Sequence, residues 1–153
     1  AAMNPSPQGV EIDSVAAQRY RAKLSGPLLD RIDMHLEIPR VPATEFNSVA
    51  AEETSAEVRA RVSEARAVML RRQNKPNARL SSSELGNVAE LDPKNQLFLN
   101  QAIEKLKLSG RARNRILKVA RTIADLDDKP QIDTACLSEA MGYRNLDRLF
   151  RIG

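Results

Sequence analysis

A change of hydrophobic period near Pro39 and Pro42 constrains this chain more than any other feature. Before it, Ile32, Met34, Leu36 and Ile38 alternate with Asp33, His35 and Glu37. That period-2 pattern predicts one half-buried strand with the apolar set inward and the polar set toward solvent. The two prolines end it, because proline donates nothing to a ladder. Beyond Pro42 the apolar residues recur at helical spacing and no further strand pattern follows. The chain therefore reads as mainly α: two strands with short helices, then a bundle of about five helices.

Local signals place the helices. Thr54 with Glu57 forms a capping box, and Val58, Val62, Ala65 and Met69 then repeat on one face as far as about Gln73. Pro76 stops that helix. Ser81 with Glu84 repeats the capping box for a short helix, and Asp92-Pro93 supplies an N-cap and a first-turn proline for the next, whose inner face is Leu99, Ile103 and Leu106. Ser109 caps a fourth helix with the stripe Ile116, Val119, Ala120, Ile123 and Leu126, and Asp133 caps a last one through about Met141. The basic tail, residues 143–153, is read as fraying. Upstream, residues 10–29 suggest a helix, a Ser25-Gly26-Pro27 turn and a short second helix, and AAMNP reads as a strand end from something larger. Strand chemistry gives way to helix chemistry within residues 40–47, dividing the chain into residues 1–48 and 49–153. Without its sheet neighbours, the strand is expected to pack poorly or to pair with another copy.

Composition narrows the chemistry. At 153 residues and 42% hydrophobic, the chain suits about one domain with a modest core. No apolar run reaches the ~20 residues a bilayer span needs, and AAMNPSPQG lacks the order of a secretory signal, so a cytoplasmic protein is expected. The single cysteine, Cys136, excludes an internal disulfide and a cysteine-based zinc site within one chain. One imidazole makes no metal site, so His35 is assigned a solvent or hydrogen-bonding role. Cys136 lies near a helix start, where thiolate is favoured, but reads as a small buried hydrophobe. No third group orients the two into a triad, and no glycine-rich phosphate loop ending in Lys-Ser or Lys-Thr is present. The net charge of +4 permits a polyanionic partner, while 3% aromatic content without tryptophan disfavours base stacking.

Three arrangements suit phosphoryl transfer, each with a plainer alternative. Asn4, before Pro5, offers an amide that can hold a terminal phosphate and orient water, or it starts an Asn-Pro turn. Arg31, between Asp30 and Asp33 and behind Leu28 and Leu29, can reach charge developing on a phosphoryl group across a subunit interface, or it pairs with those carboxylates at the surface. Residues 109–121 carry Arg111, Arg113, Arg115, Lys118 and Arg121 with no acidic residue, beginning at a helix N-terminus that attracts anions. The alternative there is a solvated basic face or pairing with neighbouring helices.

In order, AAMNP, KLSGPLLDRIDMHLEIPRVP, NARLSSSEL, LDPKNQ, LSGRARNRILKVARTIADLDDKPQI and LSEAMGYRNLDR resemble the C-terminal part of the bacterial ComM/YifB family of magnesium-chelatase-like AAA+ ATPases. The resemblance implies that residues 1–48 are the C-terminal remnant of the AAA+ core and residues 49–153 the helical lid. It also implies that Asn4 is the sensor 1 residue, Arg31 an arginine finger acting on the neighbouring subunit's nucleotide, and Arg111 the sensor 2 arginine of the lid. Family members carry Walker A and B motifs that this sequence lacks, so hydrolysis by this chain alone is not expected. ATP and Mg2+ are then cofactors of the full-length protein, not groups held tightly by this piece. Two departures from the family pattern stand out. Ser6 and Gln8 occupy positions where relatives carry cysteines, with a shorter path to Arg19-Tyr20. Gly110, Arg113 and Asn114 replace residues of a common LSARAYDRIL.

The leading reading that follows is a DNA-remodelling ring ATPase, a homo-oligomer of about six subunits with DNA as partner and no membrane, of the branch-migration kind. The runner-up is an ATPase subunit of a metal-insertion enzyme of the magnesium-chelatase type. A third is a free-standing basic module that binds nucleic acid through Arg59, Arg66, Arg71, Arg72 and residues 109–121. The acidic clusters Glu52-Glu53 and residues 125–128 weigh against that third reading.

Overall fold

The computed structural model describes residues 2, 4, 14–16, 19, 31–39 and 53–144. Within residues 53–144 five α-helices follow one another: α1 (Ser55–Gln73), α2 (Ser82–Val88), α3 (Pro93–Lys105), α4 (Gly110–Leu126) and α5 (Thr134–Gly142), with a 3-10 turn at Asn77–Arg79 between α1 and α2. The protein is mainly helical, and no strand occurs among the described residues.

Each helix starts where a side chain satisfies the first free backbone donors. Thr54 and Glu57 form a reciprocal capping box on α1, and Ser81 and Glu84 form another on α2. Asp92 caps α3 ahead of Pro93, Ser109 caps α4 and Asp133 caps α5. α1 ends at Asn74, whose φ of 55° is left-handed, a conformation asparagine tolerates better than most residues.

α4 is the axis of the bundle, touching α1, the 3-10 turn, α2 and α5. Its Ile116, Leu117, Ala120 and Ala124 are buried with Leu80, Leu85, Leu99, Ile132, Leu137 and Ala140 in one core. Alanines at 112, 120 and 124 keep α4 narrow enough for neighbours on several sides. The apolar stripe of α1 is longer than the bundle that receives it. Ala65 and Met69 are buried, while Val58 and Val62 remain 37% and 50% exposed.

A polar cluster is buried beside this core. The Asp125 carboxylate accepts two bonds from Arg72 at 2.7 and 2.9 Å, one from Asn77 Nδ2 at 2.8 Å and one from Arg121 Nε at 3.1 Å. Arg121 also donates to the carbonyls of Pro130 and Lys129 at 3.0 and 2.6 Å. The end of α1, the 3-10 turn, α4 and the loop before α5 are thereby joined through one buried carboxylate.

Residues 31–39 differ from the expected strand. They carry no ladder among the described residues, and the facing is reversed: His35 is 8% exposed, while Met34, Leu36 and Ile38 are 41%, 64% and 88% exposed. The faces of a strand are decided by what lies on either side of its sheet. Here the contact is the helical bundle, which meets the His35 side. Upstream, Val15, Ala16 and Arg19 are helical. The rest of residues 10–29, the boundary at 40–47 and the tail beyond Arg144 lie outside the described residues, as does the strand end at residues 1–5 apart from Ala2 and Asn4.

Candidate functional site

The basic run of α4 divides in two. Arg121 is 3% exposed and belongs to the Asp125 cluster, which corrects the expectation that it faces phosphate. The i, i+4 spacing of Arg121 and Asp125 was the local signal for this pairing. Burial, offset by Asp125, pushes the Arg121 guanidinium down. Burial alone would raise Asp125, yet the bonds from Arg72 and Asn77 and the charge of Arg121 hold its carboxyl below the usual range. The two side chains thus face each other as a close pair, with Arg121 and Asp125 one helical turn apart. Lys118 donates to the Ala78 carbonyl at 3.1 Å. Arg72, counted earlier with a basic surface, is likewise committed to Asp125.

Arg115 reaches back across the chain. Its NH1 donates to the Arg31 carbonyl at 2.8 Å and pairs with the Asp33 carboxylate. Arg144, buried just past α5, donates to the Ile32 carbonyl at 2.8 Å, and the Tyr143 carbonyl accepts the His35 N–H at 2.6 Å. Residues 31–35 are thus fastened to α4 and to the end of α5 almost wholly through their backbone. The Arg31 side chain is left exposed, with no partner for its guanidinium among the described residues.

Arg111 sits in the first turn of α4, where the Ser109 hydroxyl accepts the Ala112 N–H at 3.1 Å. It too is exposed and without a partner among the described residues. Arg111 and Arg115 are four residues apart, one turn and about 6 Å along the helix axis. The structure therefore ties the Arg31 segment to the helix that carries Arg111. Asn4 is exposed, and among the described residues no contact joins it to either arginine. Sequence reasoning did not single out Arg144 or Asn77, noted Asp125 only within an acidic cluster, and left Arg115 between phosphate contact, a solvated face and pairing with neighbouring helices. The partners of Arg115 lie more than eighty residues away, beyond any local pattern.

Cys136 is 1% exposed, and burial together with its hydrogen bond to Asp133 pushes the thiol up. A recess of about 330 Å³ between α3 and α5, lined by Leu106, Leu108, Ser138, Met141 and Arg144, has no histidine or carboxylate in its wall. Among the described residues no group of three or more His, Cys, Asp and Glu is placed to hold a metal, and no helix is long and apolar enough to cross a membrane.

Residues 52–144 match the family described as magnesium chelatase, subunit ChlI C-terminal, and residues 1–46 match magnesium chelatase, subunit ChlI. The chain is 43% identical over 99% of its length to the competence protein ComM of Haemophilus influenzae. It is 45% identical over 97% of its length to a protein of Escherichia coli described as uncharacterized protein YifB. A protein of Mycobacterium tuberculosis described as uncharacterized protein Rv2897c is 34% identical over 90% of the chain. The chain spans 31% of the length of the ComM and YifB relatives and 28% of the mycobacterial one.

Proposed function

Because the chain belongs to the magnesium chelatase ChlI family, with ComM and YifB proteins among its relatives, we propose that it is the C-terminal part of an AAA+ ring ATPase that remodels DNA. In this reading residues 1–48 close the nucleotide-binding core and residues 49–153 form its helical lid. The observation that carries it is the contrast among the arginines. Arg72, Arg115 and Arg121 are held by carboxylates, whereas Arg31 and Arg111 are exposed on two elements fastened together.

The donors present suit an anionic group. Arg111 is an always-charged fork beside the first-turn amides of α4, where the helix dipole favours negative charge. ATP with Mg2+ supplies, when bound, the phosphoryl group to be transferred. Arg111 would hold phosphate of its own subunit's nucleotide and report its presence to the lid. Arg31, with its backbone fixed and its side chain projecting, would offset charge developing at a neighbouring subunit's site. The Asn4 amide can accept from and donate to a water at the same time, which is what orienting an attacking water requires. The sequence has no glycine-rich phosphate loop, so the main phosphate cradle must come from outside residues 1–153.

The family description itself supports a second reading, an ATPase subunit that drives metal insertion into a tetrapyrrole. One comparison separates the two: ATP turnover by the full-length protein with single-stranded DNA and with a porphyrin. Stimulation by DNA and indifference to porphyrin support the DNA motor, and the converse overturns it. A stand-alone basic nucleic-acid module is disfavoured, because Arg72, Arg115 and Arg121 of its expected footprint are consumed by internal pairs.

A further inference from the structure

We infer that Arg115 is a positioning residue for Arg31, clasping residues 31–33 to α4 so that Arg31 and Arg111 move as one body. This rests on the reading of Arg31 as a group acting on a neighbour's nucleotide. The bonds that fix the segment go to the Arg31 carbonyl, the Ile32 carbonyl and the Asp33 carboxylate, and none uses the Arg31 side chain. An arginine that must reach another subunit needs this arrangement. A held backbone removes freedom that would otherwise be lost on engagement, while the guanidinium stays available.

Arg115 stands at the junction. Its side chain is 23% exposed, and one guanidinium nitrogen, NH1, meets the Arg31 carbonyl and the Asp33 carboxylate together. Arg144 and Tyr143 hold the same segment from the end of α5, so two helices grip it. α4 also carries Arg111 one turn earlier. A rotation of the lid driven at Arg111 is therefore transmitted to Arg31 through Arg115 and the segment it holds. In this scheme one subunit's nucleotide state sets how far Arg31 reaches toward the next subunit.

Two readouts test the clasp. The first is amide hydrogen exchange at His35 in the 153-residue chain, whose N–H is bonded to the Tyr143 carbonyl and reports whether the segment is docked. Arg115→Ala is expected to speed exchange at His35 by about tenfold, the loss of a charge-assisted contact, while Leu117 and Ala120 in the middle of α4 are unchanged. Arg115→Lys keeps the charge near Asp33 and is expected to recover part of the protection. The second readout is ATP turnover by the full-length protein, where Arg115→Ala should lower kcat by about fivefold or more and leave the nucleotide KM unchanged. If Arg31→Ala abolishes turnover but Arg115→Ala changes neither readout, the clasp is wrong and the role of Arg31 stands. Release of His35 without loss of turnover also overturns the positioning role. If Arg31→Ala itself leaves turnover unchanged, the reading of Arg31 fails first.

Discussion

Replacing Asp125 by alanine should be among the most damaging single changes to this bundle. The carboxylate accepts four hydrogen bonds, two from Arg72 and one each from Asn77 and Arg121. Removing it leaves Arg121, only 3% exposed, with the Lys129 and Pro130 carbonyls but no counter-charge. Breaking a buried pair by deleting one member costs about 3–5 kcal/mol, a large part of the roughly 5–15 kcal/mol that holds a small domain together. Arg121→Ala should cost less, about 1–3 kcal/mol, because Asp125 keeps the Arg72 fork and the Asn77 amide. Urea unfolding of the 153-residue chain followed by circular dichroism at 222 nm measures both. With an m-value of about 2 kcal/mol/M, a 4 kcal/mol loss lowers the midpoint by about 2 M. A drop below about 0.5 M for Asp125→Ala, or a larger loss for Arg121→Ala, would refute the reasoning that this carboxylate joins α1, α4 and the following loop.

Other outcomes follow from the same geometry. Asp125 is held below the usual carboxylate range, and bonds from Lys75 and Ser81 hold Glu84 at about 2. Lowered folded-state values contribute stability above the unfolded pKa of about 4, and that stability is lost as pH falls through the folded value. The urea midpoint should therefore be flat from about pH 7 to 5 and decline below about 4.5, and a decline beginning above pH 5 would contradict this assignment. Ser81→Ala removes the N-cap of α2 and should cost about 1 kcal/mol by the same unfolding assay. A Cβ at Gly86 or Gly110 meets nothing within 4 Å, so Gly86→Ala in the middle of α2 should stabilise by about 0.5–1 kcal/mol. Gly110→Ala, at the first position of α4, should gain less, and a loss at either site would refute the open-space reading.

The helices were legible because their determinants are local. Thr54 with Glu57, Ser81 with Glu84, Asp92-Pro93, Ser109 and Asp133 all cap within three residues of themselves, and each starts a helix where its side chain implies. What depends on distant chain was not legible. Val58 and Val62 continue the stripe of Ala65 and Met69, but how much of α1 is covered depends on the length of the bundle beneath it. The alternation over residues 32–38 is real, yet which side faces inward is set by the neighbour it meets, and the bundle meets His35. Arg111, Arg113, Arg115, Lys118 and Arg121 look alike in sequence. They separate only once Asp125, Asp33 and the Ala78 carbonyl are seen beside three of them.

The most direct test of the central claim is complementation between two inactive variants of the full-length protein. If Arg31 serves a neighbour's nucleotide and Arg111 its own subunit's, Arg31→Ala and Arg111→Ala should each abolish ATP turnover alone. In a randomly mixed ring, about one interface in four then joins an intact Arg31 to an intact Arg111, so an equal mixture should recover about a quarter of wild-type turnover. No recovery on mixing would contradict the division of labour between the two arginines, and full activity of either variant alone would remove that arginine from the site.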